Sequence, residues 1–213
     1  YELGIDAEGG IVNWFVNGSP MMNLYLPMEG NSTNALKDFS SSSNDFIAYN
    51  NPIWQSSLGR NSLGAFEFSG SGDYLEDSDG ENYINSLGEL TLSVWVKSDV
   101  TSTDQGIFFA DDPTGDDIGF GLRYDDAGWL NSSMDDGIKI AIEDGSYESS
   151  SFLQTTSWQH LVVRWRMGQD IELFVNGIED IPSAVLTPSN ATISTATKFI
   201  VGMGTKDSVG SVS

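Results

Sequence analysis

The most regular pattern in the chain is Trp158-Gln-His-Leu-Val-Val-Arg-Trp165, continued through Met167-Gly-Gln-Asp170 to Ile171-Glu-Leu-Phe-Val-Asn-Gly177. Apolar and polar residues alternate in both halves, a period of two that is typical of strands with one face on a core. The closing Asn-Gly pair favours a tight turn, because both residues tolerate positive φ. The stretch therefore predicts an antiparallel β-meander. Its expected core residues are Leu161, Val163, Trp165, Ile171, Leu173 and Val175.

The chain is strongly acidic. Of its 213 residues, 31 are Asp or Glu and 9 are Lys or Arg, so the formal net charge is −22. That length allows one large β domain with a substantial core. A surface this acidic repels nucleic-acid phosphates and anionic membranes, and we expect no nucleic-acid partner and no membrane insertion. The charge indicates either a halophilic or calcium-rich setting, where self-repulsion is screened, or simply a soluble surface.

The sequence favours an exported protein. It has no Cys, which excludes disulfides and thiolate metal sites. No apolar run approaches the ~20 residues of a transmembrane helix. The chain starts at Tyr1 without a signal-like segment, and we interpret it as a processed product or a piece of a longer chain. Asn-x-Ser/Thr triplets favour a glycoprotein at an extracellular or cell-surface location, with unmodified triplets as the alternative. The candidate glycosylation sites are Asn17, Asn31, Asn131 and Asn190.

Short strand-like segments separated by Gly, Asp, Asn and Ser clusters predict an all-β sandwich, and no segment shows a helical period. We interpret residues 1–20 as the end of a preceding β-rich, immunoglobulin-like segment or a linker. Residues 21–213 form the main domain, which we expect to begin with a strand at Met21–Met28. Further predicted strands are Phe46–Tyr49, Gly64–Phe68, Tyr83–Ile84, Leu90–Val96, Gly106–Ala110, Ile118–Tyr124, Ile138–Glu143, Ser150–Leu153 and Lys198–Met203.

Several pieces occur in a fixed order: Leu24–Asn31, Ala65–Leu75, Leu90–Val96, Trp158–Gly177 and Phe199–Gly204. In this order they closely resemble the laminin-G-like (LamG) domains of the concanavalin A-like lectin/glucanase superfamily, over residues 22–204. The resemblance implies a jelly-roll sandwich of two antiparallel sheets. It also implies a non-catalytic extracellular recognition or adhesion module within a larger surface protein, with a glycan or a cell-surface or matrix protein as its partner.

The end of the chain departs from the family pattern. Domains of this kind usually close with a further strand beside the first one, whereas residues 204–213 read Gly-Thr-Lys-Asp-Ser-Val-Gly-Ser-Val-Ser. A sheet without its last strand has an open edge, which favours pairing with another strand. Either the chain is a truncated piece or a partner supplies the strand. The second alternative makes the protein a structural subunit of a surface filament, S-layer or virion, assembled with neighbouring subunits through that edge.

Calcium is the cofactor that the acidic loops favour, because Ca²⁺ takes oxygen ligands from carboxylates and carbonyls on converging loops. Some laminin-G-like domains bind Ca²⁺ through an Asp directly before the strand that corresponds to Ile118–Tyr124, and Asp117 occupies that place. The usual second Asp ligand has no counterpart in Leu153–Ser157. A solvated acidic loop is the alternative. The candidate metal ligands are Asp111, Asp112, Asp116 and Asp117 in one loop and Asp77 and Asp79 in another.

Glycan binding needs exposed aromatic rings near loops, since a ring can stack on the face of a sugar. The candidates for such ligand contacts are Trp54, Tyr74, Trp129 and Tyr147, and half-buried packing is the alternative for each. The remaining strand tryptophans are expected in the core, namely Trp95, Trp158 and Trp165.

Catalysis is not favoured. Glycosidases of the same superfamily carry two Glu and an Asp in phase on one strand, which sets two carboxylates on one face. No strand of this sequence has that pattern, and in Glu76–Glu81 the Asp is out of phase. His160 is the single His, and the sequence has no Cys and no nucleophile-elbow Ser with which it could form a catalytic triad. We therefore expect no enzyme activity and a structural role for His160.

Overall fold

The computed structural model describes most of the chain: residues 2–5, 12–16, 19–60, 62–69, 72–101, 104–111, 119–125, 137–143, 145–181, 190–194 and 196–202. At residues 2–5, 12–16, 19–20, 83, 111, 125 and 145–151 it describes the backbone alone.

Almost all regular structure in the described residues is β. The strands are β1 (Glu2–Ile5), β2 (Val12–Val16), β3 (Ser19–Pro20), β4 (Ile47–Tyr49), β5 (Ile53–Gln55), β6 (Ala65–Glu67), β7 (Tyr74–Asp77), β8 (Glu89–Val96), β9 (Gln105–Asp111), β10 (Phe120–Asp125), β11 (Gly137–Ile142), β12 (Gly145–Leu153), β13 (Gln159–Arg166), β14 (Glu172–Val175), β15 (Ile178–Glu179) and β16 (Lys198–Val201). The helical elements are a 3₁₀ turn (Asn34–Leu36) and the single-turn helix α1 (Glu81–Ile84).

Two antiparallel sheets form the predicted jelly-roll sandwich. One has seven strands in the order β12-β11-β10-β9-β16-β7-β4, and the other has four in the order β15-β14-β13-β8. A two-stranded ribbon, β5-β6, accompanies them. In the described part of the chain, the first three strands form a separate sheet in the order β1-β2-β3. The division of the chain after residue 20 stays a prediction.

The meander predicted from residues 158–177 is confirmed as β13, β14 and β15. Its closing turn has positive φ at both central residues, +53° at Asn176 and +80° at Gly177. A two-residue turn of this kind matches the right-handed twist of the flanking strands, so Val175 pairs directly with Ile178. In β13, Leu161 and Val163 are fully buried and the alternate side chains are half-buried or exposed, as the period of two predicts.

The core lies between the two large sheets. The segment from β13 to β14 contributes the six residues predicted from the meander, all of them at most 6 % exposed. The seven-stranded sheet meets them with apolar side chains from five strands: Leu75, Phe108, Phe120, Leu122, Tyr124, Ile138, Ile140 and Phe199. Removing this much apolar surface from water is the main stabilisation of such a sandwich.

Two predicted strands are not strands in the structure. Met21–Met28 joins no sheet of the described residues, although Leu24 and Leu26 pack against the core. Tyr83–Ile84 belongs to α1, where two backbone bonds, from Asn82 N–H to the Asp79 carbonyl and from Asn85 N–H to the Glu81 carbonyl, close the turn. A single helical turn is too short to show a period in the sequence, which explains the second error.

Candidate functional site

A cleft of about 850 Å³ is bordered by β8 and by residues 21–29. Its floor consists of Phe108, Phe120 and Phe199 from the seven-stranded sheet. Among the described strands β8 is the last of its sheet, so none of them covers its inward side chains on the side of the cleft. Those side chains, which include Leu90, Leu92 and Val94, are consequently only half-buried.

An aromatic and cationic cluster lies at the rim of this cleft, on the outer face of the four-stranded sheet. Trp95 is 41 % exposed, and its ring stacks on the imidazole of His160 with centroids 4.7 Å apart and planes 17° apart. The guanidinium carbon of Arg60 lies 4.0 Å from the centre of the indole, in cation–π contact. Arg60, Trp95 and Ser93 also line the cleft, so the cluster and the cleft are continuous.

His160 is held by its neighbours on the outer face. Its Nε2 lies 2.9 Å from the hydroxyl oxygen of Ser93, and its backbone N–H donates to Oδ1 of Asn176 at 3.0 Å. Partial burial lowers the pKa of the imidazole, and the positive charge of Arg60 lowers it further. Both effects favour the neutral form of the ring, in which one nitrogen is a donor and the other an acceptor.

Charged pairs continue the outer face beyond this cluster. Arg164 pairs with Glu172 and lies over the ring of Phe174 at 5.8 Å, and Arg166 reaches Glu89 at 2.8 Å. The hydrogen bond from Arg164 lowers the pKa of the Glu172 carboxyl. The face thus combines exposed aromatic surface with charged side chains that form ion pairs.

The predicted calcium ligands are not brought together within the described residues. Asp77 is buried, and its Oδ1 accepts the backbone N–H of Asp79 at 2.9 Å, while the Asp79 side chain is exposed. This is the bond of an Asx turn that leads into α1. No group of three acidic or His side chains suited to a metal occurs in the part of the chain that the structure describes.

The other predicted acidic loop lies mostly outside the described residues. Asp111 ends β9, with only its backbone described, and Asp112, Asp116 and Asp117 lie outside the described residues. Calcium at that loop stays a prediction, and the two acids at 77 and 79 do not by themselves fit the ion.

Of the predicted sugar-stacking residues, two are placed with their side chains. Trp54 is half-buried, donates its indole N–H to the carbonyl of Met28 at 3.0 Å, and lies so close to Gly64 that a Cβ there would be 2.8 Å from the ring. Tyr74 stacks on Tyr49 with centroids 4.9 Å apart. Both rings therefore have packing roles. Tyr147 lies in β12 with only its backbone described, and Trp129 lies outside the described residues.

Two of the four candidate glycosylation sites are described, and both are exposed. Asn31 accepts the backbone N–H groups of Thr33 and Asn34 through its Oδ1, each at 3.0 Å. A glycan would join Nδ2, which this turn does not use. Asn190 is exposed as well, whereas Asn17 and Asn131 lie outside the described residues, and modification stays a prediction at all four sites.

The expectation that Trp95 and Trp158 belong to the core is wrong. Trp165 is buried at 1 % exposure, but Trp95 points to the outer face and Trp158 is half-buried in the lining of the cleft. The signal for Trp95 was present in the sequence, because it alternates with Leu92, Val94 and Val96 and must face away from them. No signal pointed to Arg60, which reaches the cluster from the loop between β5 and β6.

Among the described residues, no helix has the length and apolar character needed to cross a bilayer.

Several solved structures share the fold at low sequence identity. The binding domain of botulinum neurotoxin DC in complex with rat synaptotagmin II superposes with a TM-score of 0.61 at 12% identity, over 83% of this chain and 43% of that one. The ligand-binding domain of botulinum neurotoxin serotype D, in complex with N-acetylneuraminic acid, gives 0.58 at 15% identity, over 84% and 43%. The binding domain of Paraclostridial Mosquitocidal Protein 1 gives 0.57 at 12% identity, over 82% and 43%.

This chain spans less than half the length of each of those structures, which at such identities establish the fold alone. No curated protein sequence is significantly similar to it. The Laminin_G_3 family model, of the concanavalin A-like lectin/glucanases superfamily, matches residues 69–211, which is more than half of the 213 residues. The chain therefore belongs to the concanavalin A-like lectin/glucanases superfamily, as the order of its sequence pieces predicts.

Proposed function

We propose that this protein is a non-catalytic recognition module that binds a glycan through the outer face of its four-stranded sheet. The observation that carries the proposal is the exposed indole of Trp95, held between the side chains of Arg60 and His160. An exposed ring offers an apolar surface to the C–H face of a sugar. Neighbouring donors and acceptors can form hydrogen bonds with the hydroxyl groups of the sugar.

The charges of the cluster favour a sugar that carries a carboxylate. Arg60 supplies a permanent positive charge beside Trp95, and Ser93 and His160 supply neutral hydrogen-bonding groups. A guanidinium matches a carboxylate geometrically and holds it through charge-assisted hydrogen bonds. Among structures with the same fold, the binding domain of botulinum neurotoxin serotype D was solved with N-acetylneuraminic acid, and cell entry of botulinum neurotoxin type C depends on two ganglioside molecules. These ligands of other proteins support an acidic glycan here.

The Ser93–His160 pair does not support hydrolysis. A Ser–His pair works when a carboxylate orients the His and stabilises the imidazolium that forms on proton transfer. Here the charged group that acts on His160 is the cation Arg60, which lowers the pKa and opposes imidazolium formation. These residues are better suited to binding a ligand than to hydrolysing one. A glycan or protein on a cell surface is the corresponding partner, and an extracellular location is part of the proposal.

Binding of sialylated and desialylated forms of the same oligosaccharides to the purified protein tests the proposal. We expect the protein to retain the sialylated forms. The Trp95→Ala variant should bind them at least about tenfold more weakly, which is the scale of one lost stacking contact. Tyr49→Ala is the matched control, because Tyr49 is an exposed aromatic residue stacked on Tyr74 in the other sheet. Equal binding by the Trp95 variant and the parent would overturn the proposal.

A further inference from the structure

The arginine of the glycan site comes from a part of the chain that belongs to neither large sheet. Arg60 lies in the loop of residues 56–64 that joins β5 to β6, which we call the Arg60 loop. In the described part of the chain, these two strands pair with each other and with no strand of the sandwich. The contact of Arg60 with Trp95 therefore depends on how the ribbon and its loop are held.

Two hydrogen bonds attach the ribbon and the Arg60 loop to the segment before the 3₁₀ turn. The indole N–H of Trp54 in β5 donates to the carbonyl of Met28 at 3.0 Å. The backbone N–H of Gly30 donates to the carbonyl of Leu63 at 3.3 Å. Phe66 of β6 also packs against the core. The base of the loop is consequently fixed at more than one point.

Within the Arg60 loop, two glycines let the backbone fold back on itself. A Cβ on Gly59 would overlap the carbonyl oxygen of Gly64. Gly64 has a φ of +115° and lies against the Trp54 ring, where a Cβ would be 2.8 Å away. The N–H of Ser62 donates to the carbonyl of Gly59 at 2.8 Å, which closes a turn with Arg60 in its second position. A side chain at either glycine would force the loop apart.

This arrangement determines where the guanidinium of Arg60 lies. Arg60 directly follows Gly59, so the contact between the two glycines places the start of its side chain. From there the guanidinium carbon reaches to 4.0 Å from the centre of the Trp95 indole. A fixed base lowers the conformational entropy that a long side chain loses when it binds a ligand. A displaced loop would take the cation away and leave the Trp95 ring in place on β8.

Arg60 is the cation that lies against the aromatic pair. Its charge lowers the pKa of the His160 imidazole, the ring that stacks on Trp95. The arginines farther along β13 form ion pairs with glutamates. Lys97, which directly follows the end of β8, is the alternative source of positive charge near the indole.

We propose that the Arg60 loop determines which sugars the site accepts, with Gly59 as the positioning residue for Arg60, an inference that rests on the proposed function. With the loop folded, the guanidinium lies beside the ring and pairs with the carboxylate of an acidic sugar. With the loop displaced, the Trp95 ring still stacks on a sugar, and the preference for an acidic sugar is lost.

The pKa of His160 reports the position of Arg60 without any ligand, and His160 is the single His of the chain. Gly59→Ala should open the loop and raise this pKa, in the same direction as removal of the charge by Arg60→Met. Titration of the His160 ring protons by NMR measures the change. Gly88→Ala is the matched control and should leave the pKa unchanged, because a Cβ there would lie 4.0 Å from Thr192, an ordinary contact.

Trp54→Phe tests the same positioning should Gly59→Ala fail to fold. It keeps a ring against Gly64 and removes the N–H that bonds to the carbonyl of Met28, so the ribbon loses one attachment. We expect the pKa of His160 to rise in this variant too, by less than in Arg60→Met.

The ratio of the affinities for the sialylated and desialylated forms of one oligosaccharide tests the choice of sugar. In Gly59→Ala and Arg60→Met this ratio should fall about tenfold, the scale of one lost charge-assisted hydrogen bond. The affinity for the desialylated form should stay unchanged, because the Trp95 ring remains. Lys97→Met is the charge control and should keep the ratio of the parent.

Three results would overturn the inference. An unchanged pKa of His160 in the folded loop variants would show that the loop does not position Arg60. An unchanged affinity ratio in Gly59→Ala, or a ratio lost in Lys97→Met, would place the choice of sugar elsewhere. If the parent protein binds neither oligosaccharide, the proposed function fails together with the choice of sugar, and the pKa comparison alone decides whether Gly59 positions Arg60.

Discussion

The indole of Trp95 and the imidazole of His160 stack across two neighbouring strands, with ring centroids 4.7 Å apart. The two residues face each other directly in the register of β8 and β13, at the end of the sheet where Arg60 approaches. Cross-strand aromatic pairs of this kind stabilise a sheet edge by a few tenths to about 1 kcal/mol. Here the pair also holds an exposed indole in one orientation, which would lower the entropy cost of binding the proposed glycan.

Arg60→Met should raise the pKa of His160. The guanidinium charge lowers that pKa in the parent, and methionine keeps the length of the side chain without the charge. Partial burial, the larger cause of the lowering, remains, so the pKa should stay below its usual value. Titration of the His160 ring protons by NMR measures the change directly, because the chain has one His. Arg166→Met is the control and should have no effect; an unchanged pKa in the Arg60 variant would contradict the contact.

The stability of the protein should fall as the pH drops through the range in which His160 titrates. Its pKa is lower in the folded state than in the unfolded chain, so the unfolded state binds more protons between the two values. The contribution of His160 to stability is therefore present above the unfolded pKa and is lost as the pH falls towards the folded one. Urea unfolding at a series of pH values should show a flatter profile for His160→Gln than for the parent in this window.

Trp165→Phe should cost much less stability than Trp165→Ala. Trp165 is 1 % exposed, and its indole N–H has no hydrogen-bond partner among the described residues. Phenylalanine removes this unsatisfied donor and keeps most of the apolar volume, so we expect a loss below about 1.5 kcal/mol. Alanine leaves a large cavity and should cost about 3–5 kcal/mol. Chemical denaturation of both variants gives the comparison, and equal losses would show that the N–H is satisfied.

Asp77→Ala should destabilise the protein by about 1–2 kcal/mol, since the backbone N–H of Asp79 loses its acceptor. If Asp77 serves the turn rather than a metal ion, the loss is the same in calcium and in EDTA. Thermal unfolding of parent and variant in both conditions provides the test. A loss that appears only with calcium present would show that Asp77 is a ligand, as the sequence pattern suggested.

The melting temperature should rise with salt. At a net charge of −22 the folded chain repels itself, and the Debye length falls from about 30 Å at 0.01 M to about 3 Å at 1 M. Calorimetric scans in sodium chloride should show most of the rise below about 0.15 M, where screening changes over the dimensions of the domain. A flat response would mean that the acidic residues are balanced locally by pairs such as Arg166 with Glu89.

Particular elements show how far the sequence could predict the fold. The apolar alternation of β13 and β14 and the Asn176-Gly177 turn are local, and each was predicted with its inward face. The candidate site was not predictable in the same way. Its main ring, Trp95, was identifiable from the alternation of β8, but its stacking on His160 requires the register of two strands that lie more than sixty residues apart. The acidic loops are conspicuous in a sequence because of their charge. Arg60, in contrast, lies in a loop without a motif or charge pattern.

The sandwich, the meander and the family follow from the amino-acid sequence, because period-two alternation and turn chemistry act over a few residues and depend on nothing distant. Three features follow only from the folded chain: β8 ends its sheet among the described strands, residues 21–28 join no described sheet beside the cleft, and Arg60 lies over Trp95. These are relations between segments far apart in the chain. Which edge remains free depends on how all the strands pair, and no single segment records that order.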